Sequence, residues 1–218
     1  MIGVVWKGRA GQGIVTNANL LGSAAIESGL QAKSFPSFGG ERIGAPVNSF
    51  TYLDDHRIHL HCIITKADVV SIVDPYFVHN LNLFNLLRPG GLIVINCADS
   101  YTDAEITEAM IRAFDRDEAQ PSSKLPVHSG IYRIDAQARA SKFFQRGQGQ
   151  NIVILGATFR VMQTVLERFA SKISEAELVQ QIDKTFRKKI GTQKTIDNQT
   201  LFQEGYAEIR PLDTEGRL

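Results

Sequence analysis

Six residues near the start of the chain, Gly8, Arg9, Gly11, Gln12, Gly13 and Thr16, have the types and spacing that receive an anion. They follow a short apolar run, Ile2 to Trp6, and lead into an apolar periodicity that predicts a helix from Val15 to Ile26. Strand, glycine-rich turn and helix together bring backbone N–H groups and a helix N-terminus against a phosphate. The glycines let the backbone approach without a Cβ in the way, and Arg9 offers a charge-assisted donor. The same residues are compatible with a tight turn that only joins strand to helix. Two more specific motifs are excluded. The glycines stand at 8, 11 and 13, and the second strand is followed by Phe38-Gly39 rather than by an acid, so the dinucleotide fingerprint is missing. No Gly-Lys-Ser/Thr follows the turn, so it is not a P-loop.

A second loop, Phe38-Gly39-Gly40-Glu41-Arg42-Ile43-Gly44-Ala45-Pro46-Val47, sets Glu41 and Arg42 side by side on a backbone shaped by three glycines and a proline. In a doubly wound sheet such a loop lies near the C-terminal ends of the strands, where ligands and partners meet. A salt-bridged connection between two strands is the alternative. Other chemistry is thinner. His59 and His61 would share one face of an edge strand with His56 nearby, a zinc site only if further ligands arrive. Arg187-Lys188-Lys189 ends a helix, where cations meet the macrodipole favourably. Ser71 and Ser129 lack a histidine–aspartate arrangement that would make either a nucleophile. No acid–base pair suited to catalysis stands out.

These residues must be positioned by an α/β framework. The 218 residues are 43% hydrophobic and 22% charged, a globular balance, and 24 basic against 23 acidic side chains argue against a broad nucleic-acid footprint. Cys62 and Cys97 lie far apart in apolar surroundings, predicting buried free thiols and a reducing compartment. They are too few to hold an iron–sulfur cluster. The opening residues read as a strand rather than as a signal peptide and no apolar run is long enough to span a bilayer, so a cytoplasmic location is expected.

Strands are predicted at Ile2–Trp6, Gln31–Ser37 and Val47–Leu53, the last turning at Asp54-Asp55 into a hairpin partner, Arg57–Ile64. Asp68–Asp74 and Leu92–Asn96 have the near-continuous apolar character of strands buried on both faces, and Ile131–Ile134 is the last strand expected. Helices are predicted from Tyr76 to Leu87, from an N-cap at Asp103 to Phe114, over Asn151–Phe169, over Ser174–Lys189 and over Lys194–Arg210. Gly156 and Ala157 would let the third of these pack closely on the sheet, and Glu177 stands at capping-box spacing from Ser174. Arg116–Val127, polar with two prolines, is expected as a surface connection or a mobile insert. The pattern predicts one domain over residues 1–218: a three-layer α/β/α fold with a mixed, mostly parallel sheet and helices gathered toward the C-terminus.

The two loops taken together, Gly8-Arg9-Ala10-Gly11-Gln12-Gly13-Ile14-Val15-Thr16 and Phe35 to Val47, resemble the gamma subunit of 2-oxoacid:ferredoxin oxidoreductases, the family of pyruvate:ferredoxin oxidoreductase. The resemblance continues at Asp74-Pro75, Leu87–Asn96, Asn151, Leu155-Gly156-Ala157, Asn198 and Gly205-Tyr206, nearly the whole chain. Ala10 replaces a usual glycine and Ile43 a usual arginine, the latter removing a cation that could meet a phosphate or a partner's carboxylate. The resemblance implies companions, alpha, beta and delta-type subunits, that hold thiamine diphosphate and [4Fe-4S] clusters. It implies oxidative decarboxylation of a 2-oxoacid (pyruvate or 2-oxoglutarate) to acyl-CoA, with ferredoxin taking the electrons. This chain would help bind coenzyme A through Gly8, Arg9, Gly11, Gln12, Gly13, Thr16, Glu41 and Arg42. An autonomous nucleotide-binding reductase and a purely structural assembly module are the competing functions.

Overall fold

The computed structural model describes residues 1–38, 44–115, 130–145, 147–165 and 172–214. A seven-stranded sheet has the order β2-β3-β1-β4-β5-β6-β7. Its strands are β1 (Ile2–Arg9), β2 (Gln31–Phe38), β3 (Pro46–Asp54), β4 (Ala67–Ile72), β5 (Leu87–Asn96), β6 (Gly130–Ile134) and β7 (Arg210–Pro211). The pairs β1–β4, β4–β5 and β5–β6 are parallel, while β2, β3 and β7 join antiparallel at the two ends. The parallel centre is apolar on both faces, as such strands must be when helices cover both sides. Val4, Trp6, Val69, Leu92 and Val94 face one core, and Val5, Val70, Ile72, Ile93 and Ile95 face the other.

Helices α1 (Ile14–Glu27), α5 (Gln150–Val165), α6 (Glu175–Ile190) and α7 (Thr192–Glu208), with the short α4 (Ala136–Ala140), pack over the first core. The opposite face carries α2 (Tyr76–Asn80), a 3-10 turn at Leu83–Leu86 and α3 (Asp103–Asp115). The expected three layers are present, with helices concentrated toward the C-terminus. Among the described residues, no helix is long and apolar enough to cross a membrane.

Six local expectations are corrected. Residues 57–64 form no strand, because β3 already pairs with β1 on one side and β2 on the other, leaving no edge for a hairpin partner. Cys62 on that segment is consequently exposed, whereas Cys97 is buried. The predicted helix from Tyr76 stops at Asn80: the Asn82 side chain accepts from the N–H groups of Phe84 and Asn85, and Leu87 is already paired with Ala67. Thr102 rather than Asp103 caps α3, its hydroxyl accepting from the Glu105 N–H while Glu105 accepts from the Thr102 N–H, a reciprocal capping box. Asp103 instead turns to Arg133 and Arg210. Gly156 meets α7, not the sheet: a Cβ there would overlap the Phe202 carbonyl oxygen. Ser174 does cap α6, accepting from the Glu177 N–H at 3.1 Å. The sheet continues past Ile131–Ile134 to β7, whose first residue, Arg210, was expected in the last helix. The Arg116–Val127 segment lies outside the described residues.

Candidate anion-binding site

Strand β1 is the branch point of the sheet. Its connection through α1 leads to β2 and β3 on one side, while β4 on the other side continues through α2 to β5. Ligand crevices of open α/β sheets form where connections diverge in this way, beyond the carboxyl ends of the strands. The turn from Gly8 to Gly13 occupies that place.

The turn is built by its own side chains and by one acid from the neighbouring strand. Gln12 Oε1 accepts from the Arg9 N–H at 2.7 Å, and its amide donates to Asp74 at 3.0 Å. Arg9 donates through Nε to the same Asp74 oxygen at 2.9 Å and through Nη1 to the Gly44 carbonyl at 3.0 Å. The second Asp74 oxygen accepts from the Tyr76 N–H, holding the start of α2. The guanidinium lies 4.6 Å from the Tyr76 ring centre, a cation–π contact. Behind it, Lys7 donates to Asn48 at 2.8 Å and lies over the Phe77 ring, and burial lowers its pKa.

Each glycine of the turn has a different reason to be glycine. At Gly8 a Cβ would press on Ile14 Cγ2 at 2.8 Å and Gln12 Oε1 at 2.9 Å. Gly13 is left-handed, with φ of 72°, and a Cβ would meet Asn151 Nδ2 at 2.6 Å. That amide is pinned, donating to the Gly13 carbonyl and to Asn17 Oδ1, while Asn17 donates to the Asn151 carbonyl at 2.7 Å. The pair ties the N-terminus of α1 to that of α5. Gly11 is left-handed at φ of 95°, but a Cβ would find no atom within 4 Å. No side chain caps α1. Thr16 sits half-buried in its first turn.

The described flank of the second loop lies against this turn. Ala10 donates to the Ala45 carbonyl at 3.0 Å, Arg9 reaches Gly44, and Arg9 pairs with Pro46 across β1 and β3. Glu41 and Arg42, with Ile43, lie outside the described residues. Sequence reasoning therefore located Gly8, Arg9, Gly11, Gln12, Gly13 and Thr16 in one place, but it missed Asp74 and Asn151 as their partners. The acid closing a buried strand, in Asp74-Pro75, was the available signal for the first. The arrangement can present N–H groups of a rigid turn to an anion. Among the described residues no group of three or more His, Cys, Asp or Glu side chains could hold a metal ion.

The family model described as pyruvate ferredoxin/flavodoxin oxidoreductase matches residues 3–208. The common gamma subunit of the pyruvate/ketoisovalerate oxidoreductases of Thermococcus kodakarensis is 42% identical over 100 residues, 46% of this chain and 54% of that one. The chain thus spans about half the length of the first curated relatives it matches. The pyruvate synthase subunit PorC of Thermotoga maritima is 30% identical over 207 residues, covering 94% of this chain and 93% of that one. The crystal structure of the pyruvate oxidoreductase subunit PORC from the same organism shares the fold, with a TM-score of 0.71 at 23% identity over 96% and 97% of the two chains. The chain belongs to the pyruvate ferredoxin/flavodoxin oxidoreductase family and is of its gamma-subunit type.

Proposed function

We propose that this chain is the gamma component of a multi-subunit 2-oxoacid:ferredoxin oxidoreductase. It packs on alpha, beta and delta-type companions that hold thiamine diphosphate and [4Fe-4S] clusters, and it helps bind coenzyme A. In that assembly a 2-oxoacid, pyruvate or 2-oxoglutarate, is decarboxylated oxidatively to acyl-CoA and ferredoxin accepts the electrons. Its two cysteines, one exposed and one buried, are no ligand set for a cluster, which supports placing the electron-transfer groups on companions. The relative from Thermococcus kodakarensis carries a name shared between a pyruvate and a ketoisovalerate enzyme. This favours a subunit that leaves the choice of 2-oxoacid to its companions.

The observation that carries the coenzyme A reading is Gly11, open above an α1 N-terminus that no side chain caps, at the branch point of the sheet. Arg9 is committed to Asp74 and the Gly44 carbonyl, and the Arg9, Ala10 and Gln12 N–H groups are already bonded, so the N–H groups of Gly11, Gly13 and the first turn of α1 receive the phosphate while Arg9 fixes the turn that bears them. The test is steady-state kinetics of the reconstituted complex carrying Gly11→Ala. KM for coenzyme A should rise about tenfold, or ~1.4 kcal/mol, with KM for the 2-oxoacid unchanged. An unchanged KM for coenzyme A in an assembled complex would leave the turn a structural role only. A complex lacking this chain that kept full coenzyme A-dependent turnover would overturn its place in the catalytic assembly.

A further inference from the structure

A second concentration of positive charge lies across the sheet from the glycine turn. Strand β2 is the edge of the sheet, and its first residue, Gln31, pairs with Asp54, beside the Ile2–Leu53 pair that opens β1. The segment 57–64, shut out of the sheet, runs along this corner on a backbone anchored at several points. Ile58 and Ile64 are buried in the core on the α2 side. Tyr52 Oη donates to the Cys62 carbonyl at 3.3 Å, and Lys33 donates to the Leu60 carbonyl at 3.3 Å and to His61 Nε2 at 3.0 Å. Between these anchors Arg57, His59 and His61 are displayed to solvent.

With Lys33 they surround a cavity of ≈ 300 Å³, and none of the described residues lining it is acidic. The two carboxylates that precede Arg57 in the chain are engaged elsewhere: Asp54 with the Met1 amino group at 2.9 Å and Asp55 with Lys172 at 2.7 Å. Arg57 and His59 make no ion pair among the described residues. Because Lys33 donates to His61 Nε2, the neutral His61 ring carries its proton on Nδ1, leaving a further donor.

We propose that this pocket binds the phosphate group of a small molecule, at a site separate from the glycine turn. Two fixed cations, Lys33 and Arg57, match a phosphate carrying about 1.5 to 2 negative charges near neutral pH, whereas a monocarboxylate would leave one of them uncompensated. The guanidinium fork of Arg57 can bind two oxygens at once. The anchored backbone means that little ordering is needed on binding.

The experiment follows the ring resonances of His59 and His61 by NMR in the full chain at constant ionic strength. The titrants are inorganic phosphate, AMP and succinate. Phosphate, AMP or both should shift the two rings saturably, and whichever of the two binds tighter tells a free anion from an ester. Arg57→Gln, on an exposed segment, should weaken that binding at least tenfold, Arg57→Lys should recover part of it, and Gly11→Ala should leave it unchanged. No saturable shift with either phosphate compound, undiminished binding in Arg57→Gln, or succinate binding as tightly as phosphate would each overturn the proposal.

Discussion

Two regions of the molecule depend on glycine, for opposite reasons. Where α5 crosses α7, Gly156 and Gly205 face the partner helix so closely that a Cβ on either would overlap a carbonyl oxygen, of Phe202 and Val153 respectively. Both lie inside helices, where glycine is intrinsically about 1 kcal/mol worse than alanine. The contact they permit, with the rings of Phe159, Phe202 and Tyr206 clustered beside it, outweighs that penalty. At the turn, Gly11 meets nothing. Its backbone conformation is special, but the space around it is open. A glycine filled in by the protein's own backbone serves packing, and one facing emptiness at a helix N-terminus is free to serve a ligand.

This contrast can be broken by substitution. Gly156→Ala should cost about 3 kcal/mol or more, since the obstacle is backbone that cannot rotate away, and thermal denaturation of the variant would show it. A loss under about 1 kcal/mol would mean that the two helices can separate. Gly13→Ala should cost about 2 kcal/mol, combining a left-handed residue with contact against the pinned Asn151 amide. Gly11→Ala should cost only about 1 kcal/mol, from the backbone alone, and should register mainly in coenzyme A kinetics. If Gly11→Ala proved as damaging to stability as Gly156→Ala, the distinction between the two regions would collapse.

A smaller and pH-dependent effect separates the far end of the sheet from both. The Arg210 hydrogen bonds, with the Asp213 N–H and Arg133, hold the Asp103 carboxyl well below its ordinary 3.8. A carboxylate whose folded value lies below its unfolded one stabilises the protein above the unfolded value, and that contribution is lost as pH falls further. Melting temperatures recorded on acidification should therefore drop below about pH 4. Asp103→Asn should be less stable at neutral pH and should show a shallower acid decline. Identical slopes for the two proteins would show that the cluster around Arg133 does not set acid stability.

Much of this was legible in the residues. The apolar runs at Ile2–Trp6 and Asp68–Asp74, the periodicity from Val15 and the Ser174 cap are local signals, and the corresponding elements formed within a few residues of their expected bounds. Residues 57–64 also look like a strand, and their pattern is no worse than that of β2. They lost their place because both edges of β3 were taken, a fact of strand order invisible in any window of sequence. The candidate site divides in the same way. The turn's composition announced an anion cradle, but Asp74 meets Arg9 across 65 positions and Asn151 meets Asn17 across 134.

Sequence alone thus determined the alternation of strands and helices, the glycine turn at the end of β1 and the likeness to a gamma subunit, since each depends on short-range periodicity and residue type. Only the tertiary structure decided that Arg9 is bound to Asp74 and the Gly44 carbonyl, that Gly156 belongs to a helix crossing, and that the basic segment 57–64 lies against Lys33. The physical reason is that a charged or polar side chain takes whichever partner folding brings within about 3 Å, and chain connectivity does not specify that partner in advance.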